Sequence, residues 1–325
     1  MLPFIIRRLS QSLVVIWVIS LLVFVGIYTV GNPVDIMVSP QADQQEIQRT
    51  TAALGLDKPL WQQYMLFAKS AAGGDLGNSF IHNVPAVALI MERLPATLEL
   101  ATVAMLIALI GGIPLGLWAG LKPDSIFGKT IMAGSILGFS LPTFWVGLVL
   151  IMSFSVYLGW LPESGRGETV NILGVPISIL TRDGWRHILL PALNLALFKI
   201  AMVIRLTRAS TREALVQDYV KFARAKGLSN TRVIGVHVLK NIMIPIVTVV
   251  GLEFGSLIAT AVVTESIFAW PGVGKLLIDS ITLVDRPVVV AYVMMVVVIY
   301  VLINLIVDIL YSWLDPRVHY AEAKA

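Results

Sequence analysis

Apolar positions along this chain gather into long runs with few interruptions. Neither the alternation of a half-buried strand nor the three-to-four-residue spacing of a surface helix governs them. The runs fall at Leu9–Val30, Thr97–Leu121, Ile131–Leu158, Ile188–Leu206, Ile242–Val263 and Val288–Trp313. As helices rising ~1.5 Å per residue, each is long enough to cross ~30 Å of hydrocarbon. The pattern predicts an all-α integral membrane protein of about six transmembrane helices, with both termini on one side. The first run follows Arg7 and Arg8, as in a signal peptide. No small-x-small cleavage step precedes Gly31-Asn32-Pro33, so the run reads as a retained anchor.

Composition agrees with that pattern. Hydrophobic residues make up 57% of 325 positions and charged residues 14%, against roughly 45–50% and 25% in soluble domains. The formal charge of +4 does not call for a nucleic-acid partner, because the basic residues lie next to apolar runs. Segments 1–8, 122–129, 205–240 and 312–325 hold 14 Lys and Arg in 66 positions, whereas 31–94, 159–187 and 264–288 hold 9 in 118. Basic residues in short loops stay in the cytoplasm, so the termini and the 205–240 segment are assigned inside. There is no cysteine, which excludes disulfides, thiolate metal sites and cysteine nucleophiles. The four histidines, His82, His187, His237 and His319, show no metal-ligand spacing.

Between the spans, the outward segment 31–94 carries turn signals at Gly55, Lys58-Pro59 and Gly73-Gly74-Asp75, and a short helix is expected between Leu60 and Ala71. It is expected to form a small ordered cap. Pro114, Pro142, Pro191 and Pro245 lie in or at the ends of spans, where each ring removes a backbone hydrogen bond. Two readings stand for them: kinks in a pathway that opens and closes, or the ordinary abundance of proline in membrane helices.

Motifs for chemistry are absent or incomplete. Gly128-Lys129-Thr130 resembles the end of a phosphate-binding loop, but Pro123 stands where its first glycine belongs and a membrane span precedes it. Gly272-Val273-Gly274-Lys275 also lacks the preceding strand, and it lies on the outward side. No nucleophile, base and orienting group can be assembled, so no enzyme reading and no metal or cofactor site is expected. Charges inside spans are costly and functional more often than elsewhere. Glu99 and Asp308 lie near span ends, Lys199 is positioned to snorkel, and Glu253 is the best candidate to face a pathway. Gly251 and Gly255 flank Glu253 in a small-xxx-small step, so helix packing is an equal reading.

The segment Ser210–Pro245 is the most informative. Thr211–Lys226 predicts a helix with Glu213 in its first turn and Lys221, Arg224 and Lys226 toward its end. Gly227 fits a left-handed stop, and Ser229 is placed to cap the next helix. Ala223, Ala225 and Gly227 keep the corner free of bulk. Physics alone leaves two readings: an ordinary positive-inside helical hairpin, or a docking elbow.

The stretch Tyr219-Val-Lys-Phe-Ala-Arg-Ala-Lys-Gly227-Leu-Ser resembles the cytoplasmic signature of permease subunits of bacterial ABC importers of the dipeptide/oligopeptide/nickel family. The resemblance continues through His237-Val-Leu-Lys-Asn241, Ile244-Pro245, Gly251-Leu-Glu-Phe-Gly255 and Thr264-Glu265-Ser-Ile-Phe-Ala-Trp270-Pro271-Gly272-Val-Gly274. Upstream it includes Leu54-Gly-Leu-Asp57, Gly74-Asp-Leu-Gly77 and Arg93-Leu-Pro-Ala-Thr-Leu-Glu-Leu100, and near the end Asn304-Leu-Ile-Val-Asp308. Gly31-Asn32-Pro33 departs from the family's more frequent aspartate before that proline.

The resemblance implies a type I ABC importer permease fold, N-in and C-in, in the bacterial inner membrane. It implies residues 1–95 as a first transmembrane helix with its periplasmic cap, and 96–325 as the core permease domain with a coupling elbow at about 207–241. In that elbow, Tyr219, Ala223, Arg224, Ala225, Lys226, Gly227 and Leu228 would contact a cytoplasmic ATPase. Glu265, Phe268, Trp270, Pro271, Gly272 and Gly274 would belong to the outward gate or docking surface, with Phe268 and Trp270 as interfacial aromatics. The implied partners are a homologous sister permease, two ATPase subunits that carry ATP and Mg, and a periplasmic binding protein delivering peptides. Nickel or another small solute is the alternative cargo, and a self-contained channel or secondary transporter the alternative class.

The inside assignment makes a direct prediction, convenient because the chain has no native thiol. A single cysteine at Gln44 should react with membrane-impermeant maleimide from outside, and one at Asn230 only after the membrane is opened. The reverse pattern would invert the topology.

Overall fold

The computed structural model describes residues 2–29, 43–53 and 57–314. The Gly31-Asn32-Pro33 turn, the Gly55 turn and the tail after 314 lie outside the described residues. Most of the chain is helical. In order come α1 (Leu2–Thr29), α2 (Gln44–Ala53), α3 (Leu60–Ala72), α4 (Ala86–Leu121), α5 (Ile126–Ser140) and α6 (Thr143–Leu150). A two-stranded hairpin, β1 (Val170–Ile172) with β2 (Val175–Ile177), follows. Then come α7 (Arg182–Leu215), α8 (Asp218–Ala225), α9 (Leu239–Ile267), α10 (Val273–Thr282) and α11 (Arg286–Leu314). Wide π-type turns extend α6 over Ile151–Tyr157 and lead into α9 over Val233–Val238.

Among the described residues, five helical stretches are long and apolar enough to span a membrane, and α5 with α6 makes a sixth if that pair is counted as one. The expected continuous span Ile131–Leu158 is therefore corrected: it breaks at Leu141-Pro142 and bends by 105°. A residue before proline is driven out of the helical region, and Leu141 is extended, with φ −81° and ψ 135°. Pro114, Pro191 and Pro245 remain inside α4, α7 and α9. The β hairpin was not foreseen.

The chain forms two compact units, Arg93–Lys275 with the chain from Leu302 onward, and Leu2–Glu92 with Leu276–Val301. In the second unit α1 packs on α3 through Phe24, whose ring lies 5.4 Å from Tyr64 and 5.9 Å from Phe67. The Ser20 hydroxyl and the Tyr64 phenol are hydrogen-bonded at 2.9 Å. The turn before α4 is held by Asp285, whose carboxylate accepts from the Ser79 hydroxyl and, at 3.0 Å, from the Phe80 amide.

In the first unit, α4 and α7 meet along matched small residues. Gly112, Gly116 and Gly120 recur every fourth position and face Val203, Thr207 and Thr211, which have the same spacing. A Cβ at Gly116 would lie 2.6 Å from the Thr207 Cβ and 2.7 Å from the Ile204 carbonyl oxygen. The backbones are thus too close for any side chain between them. Lipid is as apolar as leucine, so helices in a bilayer associate through such dispersion contacts rather than through escape from water. Thr207 and Thr211 are fully buried, and the Thr211 hydroxyl donates to the Thr207 carbonyl at 2.7 Å, which satisfies it within its own helix.

Gly116→Ala should therefore destabilise the purified chain by about 1–3 kcal/mol, the usual cost of overpacking. Gly134→Ala, where nothing lies within 4 Å, should be neutral or gain up to about 1 kcal/mol of helix propensity. Thermal unfolding in detergent should show a clear loss for the first and none for the second.

Candidate functional site

The elbow differs from its predicted form in two respects, the break in its first helix and the cap at Ser229. The expected helix Thr211–Lys226 is two helices: α7 continues to Leu215, and α8 begins at Asp218 after an extended Gln217 at ψ 149°. Glu213 thus belongs to α7, and Asp218 is the acid in the first turn of α8. The break lets α8 turn one face inward. Val220 and Ala223 are buried in a cluster with Ala214, Val233, Val238 and Ile242, with Leu228 packed against it. Tyr219 and Phe222 are exposed, next to an exposed Val216. Arg224, Ala225 and Lys226 are also exposed. The Lys226 ammonium lies 4.6 Å from the Phe222 ring centre.

Gly227 takes φ +76°, the left-handed stop expected of it. Its amide donates to the Arg224 carbonyl at 2.9 Å, and the Leu228 amide to the Ala223 carbonyl at 3.3 Å. That pair of bonds is the Schellman closure of a helix C-terminus, and it satisfies two carbonyls that would otherwise be orphaned. Nothing lies within 4 Å of a Cβ built at Gly227, so the constraint on this position is conformational and not steric. Ser229 precedes the next helix without making a side-chain cap bond.

The outward block is a buried clamp. Glu265 is completely buried. Its carboxylate accepts from the Thr97 hydroxyl at 2.5 Å, the Gly274 amide at 2.7 Å and the Lys275 amide at 3.0 Å. The Val273 amide donates to the Thr97 oxygen at 2.9 Å. A carboxylate at the start of α10 thus takes up the amides that a helix N-terminus leaves unpaired. Gly272 and Gly274 are required by close approach: a Cβ at Gly272 would overlap the Glu265 carboxylate, and one at Gly274 would lie 2.6 Å from the Val262 Cα. The expectation that Phe268 and Trp270 anchor at the membrane interface is corrected. Both are buried, and the Trp270 indole donates to the Ala96 carbonyl at 2.9 Å. Pro271 is partly buried beside them.

Glu99, read as a charge near a span end, lies well inside α4 and forms a second buried anchor. It accepts from Arg166 Nη2 at 2.6 Å and from the Ser178 and Ile179 amides at 2.7 and 2.8 Å. Arg166 also donates to the Pro176 carbonyl at 2.7 Å, and its guanidinium stands 5.8 Å from the Trp270 ring. This ties the hairpin to the helices. Arg166 and Thr97 were missed from sequence. The available signal was Glu99 itself, an acid inside an apolar run, which demands a cation.

Lys199 does not snorkel. It pairs with Glu253 across α7 and α9, and it donates to the Ser256 hydroxyl at 2.9 Å. Both residues fall near the midpoints of their helices. The neighbouring Gly251 packs on its own chain, since a Cβ there would lie 2.6 Å from a Val307 methyl on α11. Gly255 is buried in α9.

Comparison with known proteins agrees with this architecture. Residues 112–320 match the family described as binding-protein-dependent transport system inner membrane component, and residues 1–101 match its N-terminal companion family. The di/tripeptide transport system permease protein DppB of Pseudomonas aeruginosa (strain UCBPP-PA14) is 41% identical over 338 residues, covering 98% of this chain and 99% of its own length. The dipeptide transport system permease protein DppB of Escherichia coli (strain K12) is 40% identical over 343 residues, covering 99% of this chain and 100% of its own length. Among solved structures, the inward-facing MetNI methionine ABC transporter covers 70% of this chain at a TM-score of 0.53 and 15% identity, a likeness of fold alone. Several long apolar helices and nearly full-length matches at this identity lead to one conclusion: the chain belongs to the binding-protein-dependent transport system inner membrane components, as a permease subunit of an ABC importer whose ATPase and binding protein are separate subunits.

Proposed function

We propose that this chain forms half of a peptide-conducting pore, paired with a homologous sister permease and supplied with di- or oligopeptides by a periplasmic binding protein. The cargo reading rests on the substrates named for its full-length relatives. The elbow at about 207–241 is the coupling element. What carries this is the apolar surface exposed at the corner: Val220 and Ala223 are committed to the chain's own core, while Val216 just before α8, and Tyr219 and Phe222 on it, stay exposed beside Arg224 and Lys226. An exposed apolar helix face at a rigid corner suits a cleft on another subunit. ATP-driven closure of two ATPase subunits would move this corner as a lever. The outward residues Glu265, Phe268, Trp270, Pro271, Gly272 and Gly274 act as the stiff frame of the external mouth, because burial leaves their side chains little surface to offer a partner. Residues 1–95 serve as a first helix with its cap, and 96–325 as the conducting core.

The Lys199–Glu253 pair lies along the peptide's path or locks α7 to α9, and uptake measured beside stability distinguishes the two. Removing one partner strands a charge and should cost about 3–5 kcal/mol, whereas replacing both should be near neutral. Glu253→Gln should therefore lower thermal stability, and Lys199→Met/Glu253→Leu should restore it. A pathway role predicts that uptake stays low in the double variant, and recovery of uptake would assign the pair to packing alone.

Gly227 provides the test of coupling. A β-branched residue held at φ +76° is strained by about 1–2 kcal/mol or more. Because a Cβ there meets nothing, the cost falls on the shape of the corner. In the reconstituted complex, Gly227→Val should be present at normal levels yet support little peptide uptake and lose substrate stimulation of ATP hydrolysis. Gly227→Ala should be intermediate, and Gly227→Asn, which tolerates left-handed geometry, close to wild type. Full uptake by the valine variant would remove the coupling role.

A further inference from the structure

Three arginines on α7, Arg205, Arg208 and Arg212, line one open cavity of about 750 Å³ together with the end of α4 at Gly120 and Leu121. Their spacing puts them on one helix face. None of the three is in an ion pair in the described residues, and the Nε of Arg208 is buried without a hydrogen-bond partner. The Arg205 guanidinium lies over the Phe139 ring, 4.8 Å from its centre, which helps hold it in place. The one acidic side chain on the rim, Glu213, is exposed. A cluster of unpaired guanidinium forks inside a concavity is a recognition site for an oxyanion, because each fork matches two oxygens at once.

The depth of the cavity identifies the anion's source. Trp118, two residues before the rim, is exposed, carries Lys122 over its ring at 4.8 Å, and packs edge-on against Phe127. Tryptophan and lysine in that arrangement mark the headgroup level of a bilayer. Exposed Ile126 and Phe127 beside it offer an apolar surface for acyl chains. By the distribution of basic residues, this end of α7 is the cytoplasmic one, where anionic lipid attracts cationic clusters.

We propose that this cavity binds the phosphate diester of an anionic glycerophospholipid of the inner leaflet, with Arg208 as the central donor and Arg205 and Arg212 on either side. A zwitterionic choline lipid has the same phosphate, but it brings a quaternary ammonium that three arginines repel. The site is independent of the cargo reading. It would link the lipid environment to the helix that leads directly into the elbow.

The test uses the full chain, purified in mild detergent after equilibration with an equal mixture of phosphatidylglycerol and phosphatidylcholine, with retained lipid counted by mass spectrometry. Wild type should retain phosphatidylglycerol in several-fold excess. Arg208→Gln should reduce that retention about fivefold, the share expected of one basic residue at an anionic surface. Arg208→Lys should be intermediate, and Arg212→Gln, an exposed position that does not endanger folding, should also reduce it. Arg186→Gln on the outward side should change nothing. Added phosphatidylglycerol should raise the unfolding temperature of wild type but not of Arg208→Gln, and glycerol 3-phosphate at the same concentration should not substitute. Equal retention of the two lipids by wild type would overturn the proposal, as would unchanged retention in the arginine variants. Equal protection by glycerol 3-phosphate would make the cavity a free-anion site and overturn the lipid assignment.

Discussion

The close approach of α4 and α7 is the constraint on which the larger unit depends. Inside a bilayer there is no water to escape from, so two helices hold together only as well as their surfaces touch. Three glycines on α4 let the backbones come within van der Waals range of Val203, Thr207 and Thr211. Both partners are long: α4 has 36 residues and α7 has 34, more than a membrane crossing requires. The same two rods that pack at Gly116 therefore also carry Glu99, in α4, and the arginine-lined cavity, where the end of α4 meets α7.

Polar groups in this chain follow a consistent logic. A carboxylate out of water must find donors, and each buried acid here finds several. Glu265 takes the amides at the start of α10, Glu99 takes Arg166 and two amides of the hairpin region, and Asp285 takes the turn before α4. Each joins segments distant in sequence, and each fixes a loop on a helix where neither side alone would hold it. The Lys199–Glu253 pair differs, since it joins two spanning helices near their midpoints, where a charge costs most.

In the proposed coupling role, the elbow would be a moving part built on a static one. One face of α8 is bound into the core through Val220 and Ala223, and its end is closed by the Schellman bonds at Gly227. Force applied to the exposed face would therefore reach α7 and α9 without being absorbed by a slack loop.

Most of the spans and the glycine stop at 227 were legible in the sequence, because each follows from local chemistry: transfer of apolar runs into lipid and the freedom of a residue without a Cβ. The nearly continuous likeness to importer permeases was legible too, since it lies in ordered motifs. What local chemistry could not reveal was pairing. Pro142 reads the same whether it bends a span gently or breaks it by 105°, because the outcome depends on what packs beside it. Phe268 and Trp270 read as interfacial aromatics, yet the tertiary structure buries them. Lys199 reads as a snorkelling charge until Glu253 is found on another helix, 54 residues away. Hydrophobicity along a chain says which segments enter the membrane. Only three-dimensional packing decides which polar atoms meet there, because in a medium without water each must be satisfied by a partner that the sequence does not keep nearby.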